Sequence, residues 1–231
     1  MNELQGKWAL VTGSSRGIGQ QIAMGLADHG ANVIVHGREL AHTQKTVNLV
    51  KEKGVQAHAV TGALDSEAGV QAVIHGMRQG PGQVDILYNN AAIQNQWKPI
   101  WEITMDEWRH SFQVNLFSMI ALCNAFAPPM RDRGWGRIIN LTSGIRDIPQ
   151  LAPYSVSKGA VDKYSRDLAA ELKGSGVLVN YLDPGWLRTD LGGPNGMFPV
   201  EAVLPGALVP ALLPDDGPTG QYYAAQDYRR D

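Results

Sequence analysis

The chain has 231 residues, 44% hydrophobic and 18% charged, long enough to bury a core without disulfide or metal and too apolar to be disordered. Twenty Lys and Arg against 22 Asp and Glu leave a formal net charge of -2, which gives no electrostatic reason to expect nucleic acid or a membrane surface as partner. A lone cysteine, Cys123, no signal-like start and no apolar run near the ~20 residues that span a bilayer lead us to expect a soluble, cytoplasmic protein.

Short Val- and Ile-rich runs alternate with amphipathic stretches. Strands are expected at 8–11, 33–35, 55–60, 84–88, 137–141 and 177–182, with a weaker one at 221–224. Most lack polar alternation, as strands covered on both faces do. Helices are expected near 17–29, 40–53, 66–79, 106–127, 154–174 and 200–212. The reading is an α/β, doubly wound Rossmann fold: about seven parallel strands with helices on both faces, in a single domain over 1–231. Only 183–200 is crowded with Gly and Pro, and it reads as a loop over a site.

The first strand runs into Thr12-Gly13-Ser14-Ser15-Arg16-Gly17-Ile18-Gly19 and then a helix. Gly13 permits a tight turn, Gly17 a close backbone approach, and Gly19 close helix-strand packing. The free amides of the helix start then face the pyrophosphate of a dinucleotide. The second strand ends in Val35-His36-Gly37-Arg38. An NAD site usually carries an acid there. Arg38 and Arg16 suit a 2′-phosphate instead, so NADP(H) is favoured over NAD(H). Asp65, after the third strand, either meets the adenine or caps the following helix. Thr104 and Glu107 read as a capping box opening the fourth helix.

The fifth strand ends in Thr142-Ser143, with hydroxyls at the carboxyl edge of the sheet. Tyr154 and Lys158 lie four residues apart, on one face of a helix. A neighbouring ammonium stabilises a phenolate and lowers the tyrosine pKa from ~10.

The spacing TGxxxGxG, Asn89-Asn90-Ala91-Ala92, Tyr154-Ser155-Val156-Ser157-Lys158 and Asp183-Pro184-Gly185 occur in that order. The whole chain thereby resembles the classical short-chain dehydrogenase/reductase family, and its 213–221 tail is similar to that of carbonyl reductases. The resemblance implies a tetrad of Asn115, Ser143, Tyr154 and Lys158. Tyr154 would exchange the proton, and Ser143 (or Thr142) would hold the substrate oxygen. Lys158 would hold the nicotinamide ribose, and Asn115 would distort its helix to position a water. It places Asn90 and Ala91 beside the adenosine ribose, and Pro184, Gly185, Leu187 and Thr189 around the nicotinamide. A substrate mouth would include Gln94, Ile145, Arg146 and Trp186.

The implied activity is interconversion of a ketone or aldehyde with an alcohol, without metal. An oxoacyl-thioester reductase, a sugar or polyol dehydrogenase and a catalytically idle dinucleotide-binding protein are the alternatives. A filled tetrad argues against the idle one. No basic cluster for an acidic carrier protein lies beside the mouth. Pairing of the long helices into a homodimer or homotetramer is the expected assembly.

Overall fold

The computed structural model describes residues 3–229. Seven strands form one sheet: β1 (Trp8–Val11), β2 (Asn32–Gly37), β3 (Ala57–Thr61), β4 (Ile86–Asn89), β5 (Gly136–Leu141), β6 (Val177–Asp183) and β7 (Tyr222–Ala224). Their order is β3-β2-β1-β4-β5-β6-β7, every neighbour parallel. The central strands are buried along nearly their whole length, which explains why they lack polar alternation, although β5 buries Arg137 and Asn140 as well.

Each face carries its own apolar layer. On one side Ile22, Ala23 and Leu26 of α1 (Gly17–Asp28) and Val47 and Val50 of α2 (Leu40–Lys51) pack on Val11, Val33 and Val35. On the other, Val70 and Val73 of α3 (Glu67–Gln79), Leu122 and Phe126 of α5 (Ser118–Asp132) and Val161 of α6 (Ala152–Glu171) pack on Leu10, Leu87 and Ile138. The strand order reverses between β1 and β4, and the crevice at their carboxyl ends is where open α/β sheets take ligands.

Two expectations change. The segment 106–127 is not one α-helix: α4 (Met105–Phe112) passes through a π turn (Gln113–Phe117) before α5, which continues to Asp132. The region 200–212 holds two 3-10 turns, Val200–Val203 and Gly206–Ala211, because Pro205 and Pro210 cannot donate the amides of a continuous α-helix. The capping box forms: Glu107 N donates to Thr104 Oγ1 (3.3 Å) and Thr104 N to Glu107 Oε2 (2.9 Å). Among the described residues no helix is long and apolar enough to cross a membrane.

Tyr88 in β4 is fully buried, and its hydroxyl donates to Ala207 O at 2.7 Å, tying the 206–211 turn to the sheet. Tyr88→Phe leaves that carbonyl without its partner and is expected to cost about 1–3 kcal/mol, read as a lower urea midpoint at unchanged slope.

Candidate active site

The glycine turn leaves β1 with Gly13 and Gly17 at φ +64° and +60°, a left-handed backbone that favours glycine. A Cβ on Gly19 would lie 2.5 Å from Gly13 O and 2.6 Å from Asn90 Nδ2, so a side chain there would block the cradle. Arg16 caps α1 without any side-chain hydrogen bond to its first turn, and no acid lies in that turn. The helix thus presents bare amides and the positive end of its dipole. This is the environment a pyrophosphate needs, so the residues present fit a dinucleotide.

The turn is laced to its neighbours. Asn90 N and Ala91 N donate to Thr12 Oγ1 at 2.9 and 3.0 Å, and Asn90 Nδ2 to Thr12 O at 2.7 Å. A cleft of about 690 Å³ opens above, lined by the turn, by Arg38 and Asp65 at one end, and by Tyr154 and Lys158 at the other. Ser66, not Asp65, caps α3, accepting from Gly69 N at 3.2 Å, which leaves Asp65 on the cleft wall. Gly37 carries neither charge nor side chain. A Cβ there would meet Thr43 Cγ2 at 2.9 Å, so an acid at that position would crowd α2. Arg16 lines the cleft with Arg38, and its guanidinium also pairs with Asp190 at 2.6 Å, because the 184–199 loop brings an exposed carboxylate within reach.

At the catalytic end, Tyr154 and Lys158 lie on α6 with the ammonium 5.8 Å from the phenol ring centroid. Lys158 Nζ is buried and donates to Leu141 O at 2.7 Å; burial brings its pKa down to about 8. The Tyr154 pKa is raised, not lowered: burial dominates, opposed by a hydrogen bond with the Ser143 hydroxyl and reinforced by the charge of Asp183. The ammonium is spent on a backbone carbonyl, and desolvation sets the direction of the phenol's shift. Thr142 lines the cleft and Ser143 does not, but the Thr142 hydroxyl is taken up by Asp162 and Lys158 O, whereas Ser143 is the hydroxyl bonded to the phenol. Asp183 braces both flanking loops, accepting from Gly144 N (2.9 Å), Gly185 N (2.9 Å) and Tyr222 OH (3.0 Å).

Asn115 lies within the π turn, buried beneath the cleft. It accepts from Ile93 N (2.8 Å) and donates to Ile93 O (2.9 Å) and Ser157 Oγ (3.0 Å). The amide thus clamps the strand β4 exit to α6. Of the four mouth residues, Gln94 lines the cleft, whereas Ile145, Arg146 and Trp186 do not. Arg146 is exposed, and Trp186 turns its indole onto Gly192 O at 2.7 Å. Pro184 and Thr189 line the cleft; Gly185 and Leu187 do not, since Leu187 is buried and bridges to Phe198. Sequence reasoning missed His36 and His110, both on the cleft wall. A signal existed for each. His36 stands at the carboxyl end of a strand, and His110 lies four residues before Val114, on the same helical face.

Fold and cleft together define an α/β dinucleotide-binding protein. The family model described as short chain dehydrogenase matches residues 7–196, and the chain belongs to the short-chain dehydrogenase/reductase family: oxidoreductases that use NAD or NADP and act on CH–OH and C=O groups. It is 34% identical over 191 residues to the gluconate 5-dehydrogenase of Gluconobacter oxydans, covering 81% of this chain and 74% of that one. It is 34% identical over 190 residues to a 3-oxoacyl-[acyl-carrier-protein] reductase of Pseudomonas aeruginosa, covering 81% and 76%. A crystal structure of a gluconate 5-dehydrogenase from Burkholderia cenocepacia, in complex with NADP and tartrate, superposes with TM-score 0.84 at 29% identity over 96% of this chain and 94% of that one.

Proposed function

We propose that the protein is an NADP(H)-dependent carbonyl reductase in which Tyr154 is the proton donor and Ser143 the group that orients the substrate oxygen. The observation that carries this reading is the phenol itself: buried, paired with Ser143, held in its protonated form, and facing a dinucleotide-sized cleft beside Lys158. Bound NADP(H) supplies the hydride that reaches the carbonyl carbon. As that carbon is reduced, Tyr154 gives its proton to the oxygen, and Ser143 holds the oxygen within reach. Lys158 steadies the phenolate left behind. Asn115 keeps Ile93 and α6 in register, so the phenol meets the substrate at a fixed distance. A phenol whose pKa is raised stays protonated near neutral pH, so the form that reduction needs is the one present there. Alcohol oxidation needs the deprotonated phenol and gains at alkaline pH.

NADP(H) is preferred because Arg38 stands at the cleft end where an acid would select NAD, and Gly37 puts no acid at the end of β2. Arg38→Asp is expected to shift the ratio of NADPH to NADH dissociation constants by about tenfold or more toward NADH; an unaltered ratio overturns the preference. A small hydroxylated ketone is the substrate class that agrees with the gluconate 5-dehydrogenase likeness and with Gln94 in the cleft. The deciding experiment is a panel of 5-keto-D-gluconate, a 3-oxoacyl thioester and simple aldehydes, followed by nicotinamide absorbance with each dinucleotide. Turnover of the thioester alone would replace this reading with that of a carrier-protein reductase. Exposed Phe117 and Val156, on the π turn and α6, support pairing of these helices between two copies.

A further inference from the structure

His36 is not part of the tetrad or of the glycine motif, yet it is among the most buried polar side chains, 3% exposed. Its ring joins two turns that belong to different strands. Gly13 N donates to Nδ1 at 3.0 Å, and Nε2 faces Gly62 O at 2.9 Å. An amide can only donate and a carbonyl can only accept. Nδ1 is therefore the bare nitrogen, and Nε2 carries the proton. The backbone repeats the connection: Ser14 N donates to His36 O, and His36 N to Ser14 Oγ, both at 3.0 Å.

From this geometry we propose that neutral His36 is a positioning residue for the dinucleotide. It fixes the amide of Gly13, and with it the curvature of the phosphate turn, against the exit of β3. The opposite flank of the turn is held by Asn90 on Thr12, so the imidazole completes a two-sided clamp. The assignment rests on the dinucleotide reading and deepens it. A protonated ring would direct Nδ1–H at Gly13 N–H and open the clamp on one side. Burial holds the His36 pKa below 6.5, which keeps the ring neutral at physiological pH. The other ionisable groups at this end of the cleft are Arg16, Arg38, His42 and Asp65.

The test compares His36→Asn, His36→Gln and His36→Leu, with NADPH and NADH dissociation constants read by nicotinamide fluorescence. Asn places an acceptor where Nδ1 stands. Gln reaches toward Gly62 but abandons Gly13, and Leu offers neither. Asn is expected to bind within about threefold of the parent. Gln and Leu should weaken binding by about tenfold or more, the order of one lost buried hydrogen bond, with kcat at saturating cofactor nearly unchanged. Leu binding as well as the parent, or Asn binding as poorly as Leu, overturns the assignment. If Leu fails to fold by circular dichroism, the Asn–Gln pair still decides. In the unmodified protein NADH affinity should weaken as pH falls from 7 toward 5, and this weakening should vanish in His36→Asn. Acid weakening that persists in His36→Asn also overturns it. Should the unmodified protein bind neither dinucleotide, the broader reading fails; equal binding by parent and Leu sinks only the role of His36.

Discussion

Tyr154→Phe is expected to lower turnover by about a thousandfold while leaving NADPH affinity within about twofold, since a positioned general acid contributes 10²–10⁴. The ring and its burial stay. Only the donor is lost, together with the Ser143 hydrogen bond it makes. Ser143 cannot take over, because an aliphatic hydroxyl is a much weaker acid and has no ammonium beside it. The measurement is single-turnover reduction with prebound NADPH, alongside equilibrium binding. Retained turnover removes Tyr154 from the mechanism. A large loss of NADPH affinity would assign the phenol to cofactor binding instead.

Lys158→Met should cut turnover by about a hundredfold or more, and it also carries a stability signature with a definite sign. The folded-state pKa of Lys158 is about 8, below its ordinary 10.5, because burial disfavours the ammonium. Between those values the unfolded chain binds a proton that the folded chain does not. Stability contributed by this position therefore rises with pH from about 8 to 10.5, and the burial penalty is fully present below 8. Methionine fills a similar volume without a charge, so the rise should disappear from the urea midpoint of the variant. Its loss of turnover should persist at all pH values. Carbonyl reduction by the parent should fall above about pH 8, as the ammonium that steadies the phenolate is lost. An identical pH–stability profile in parent and variant would contradict a buried, titrating lysine.

The strands were legible because both faces of the sheet are covered, so apolar residues follow one another without alternation, even where β5 also buries Arg137 and Asn140. The glycine turn was legible because backbone at positive φ and a blocked Cβ restrict Gly13, Gly17 and Gly19. Helix 200–212 was misread because its apolar spacing is helical while Pro205 and Pro210 withhold the amides, and steric chemistry overrides periodicity. At the site, four-residue spacing brought Tyr154 and Lys158 together, but spacing says nothing of solvent. The rise in the phenol's pKa comes from burial by residues distant in the chain. Arg16 went to Asp190 for a similar reason: 174 positions of sequence conceal a contact that the 184–199 loop makes direct. Ile145, Arg146 and Trp186 sit on loops whose course no local pattern encodes.

The π turn at Gln113–Phe117 carries one residue more than the α-helix it interrupts. Excising that residue would restore ordinary helical winding and swing every following side chain by roughly 100°, pulling the Asn115 amide off Ile93 and α5 off the sheet. The stretch between Ser143 and Tyr154 obeys the opposite rule. Its two ends are anchored by β5 and α6, so the hydroxyls meet across a link of only 11 positions. Shortening or lengthening is therefore absorbed at the rim of the mouth and forbidden beneath it, which makes 144–151 the natural place to graft new selectivity.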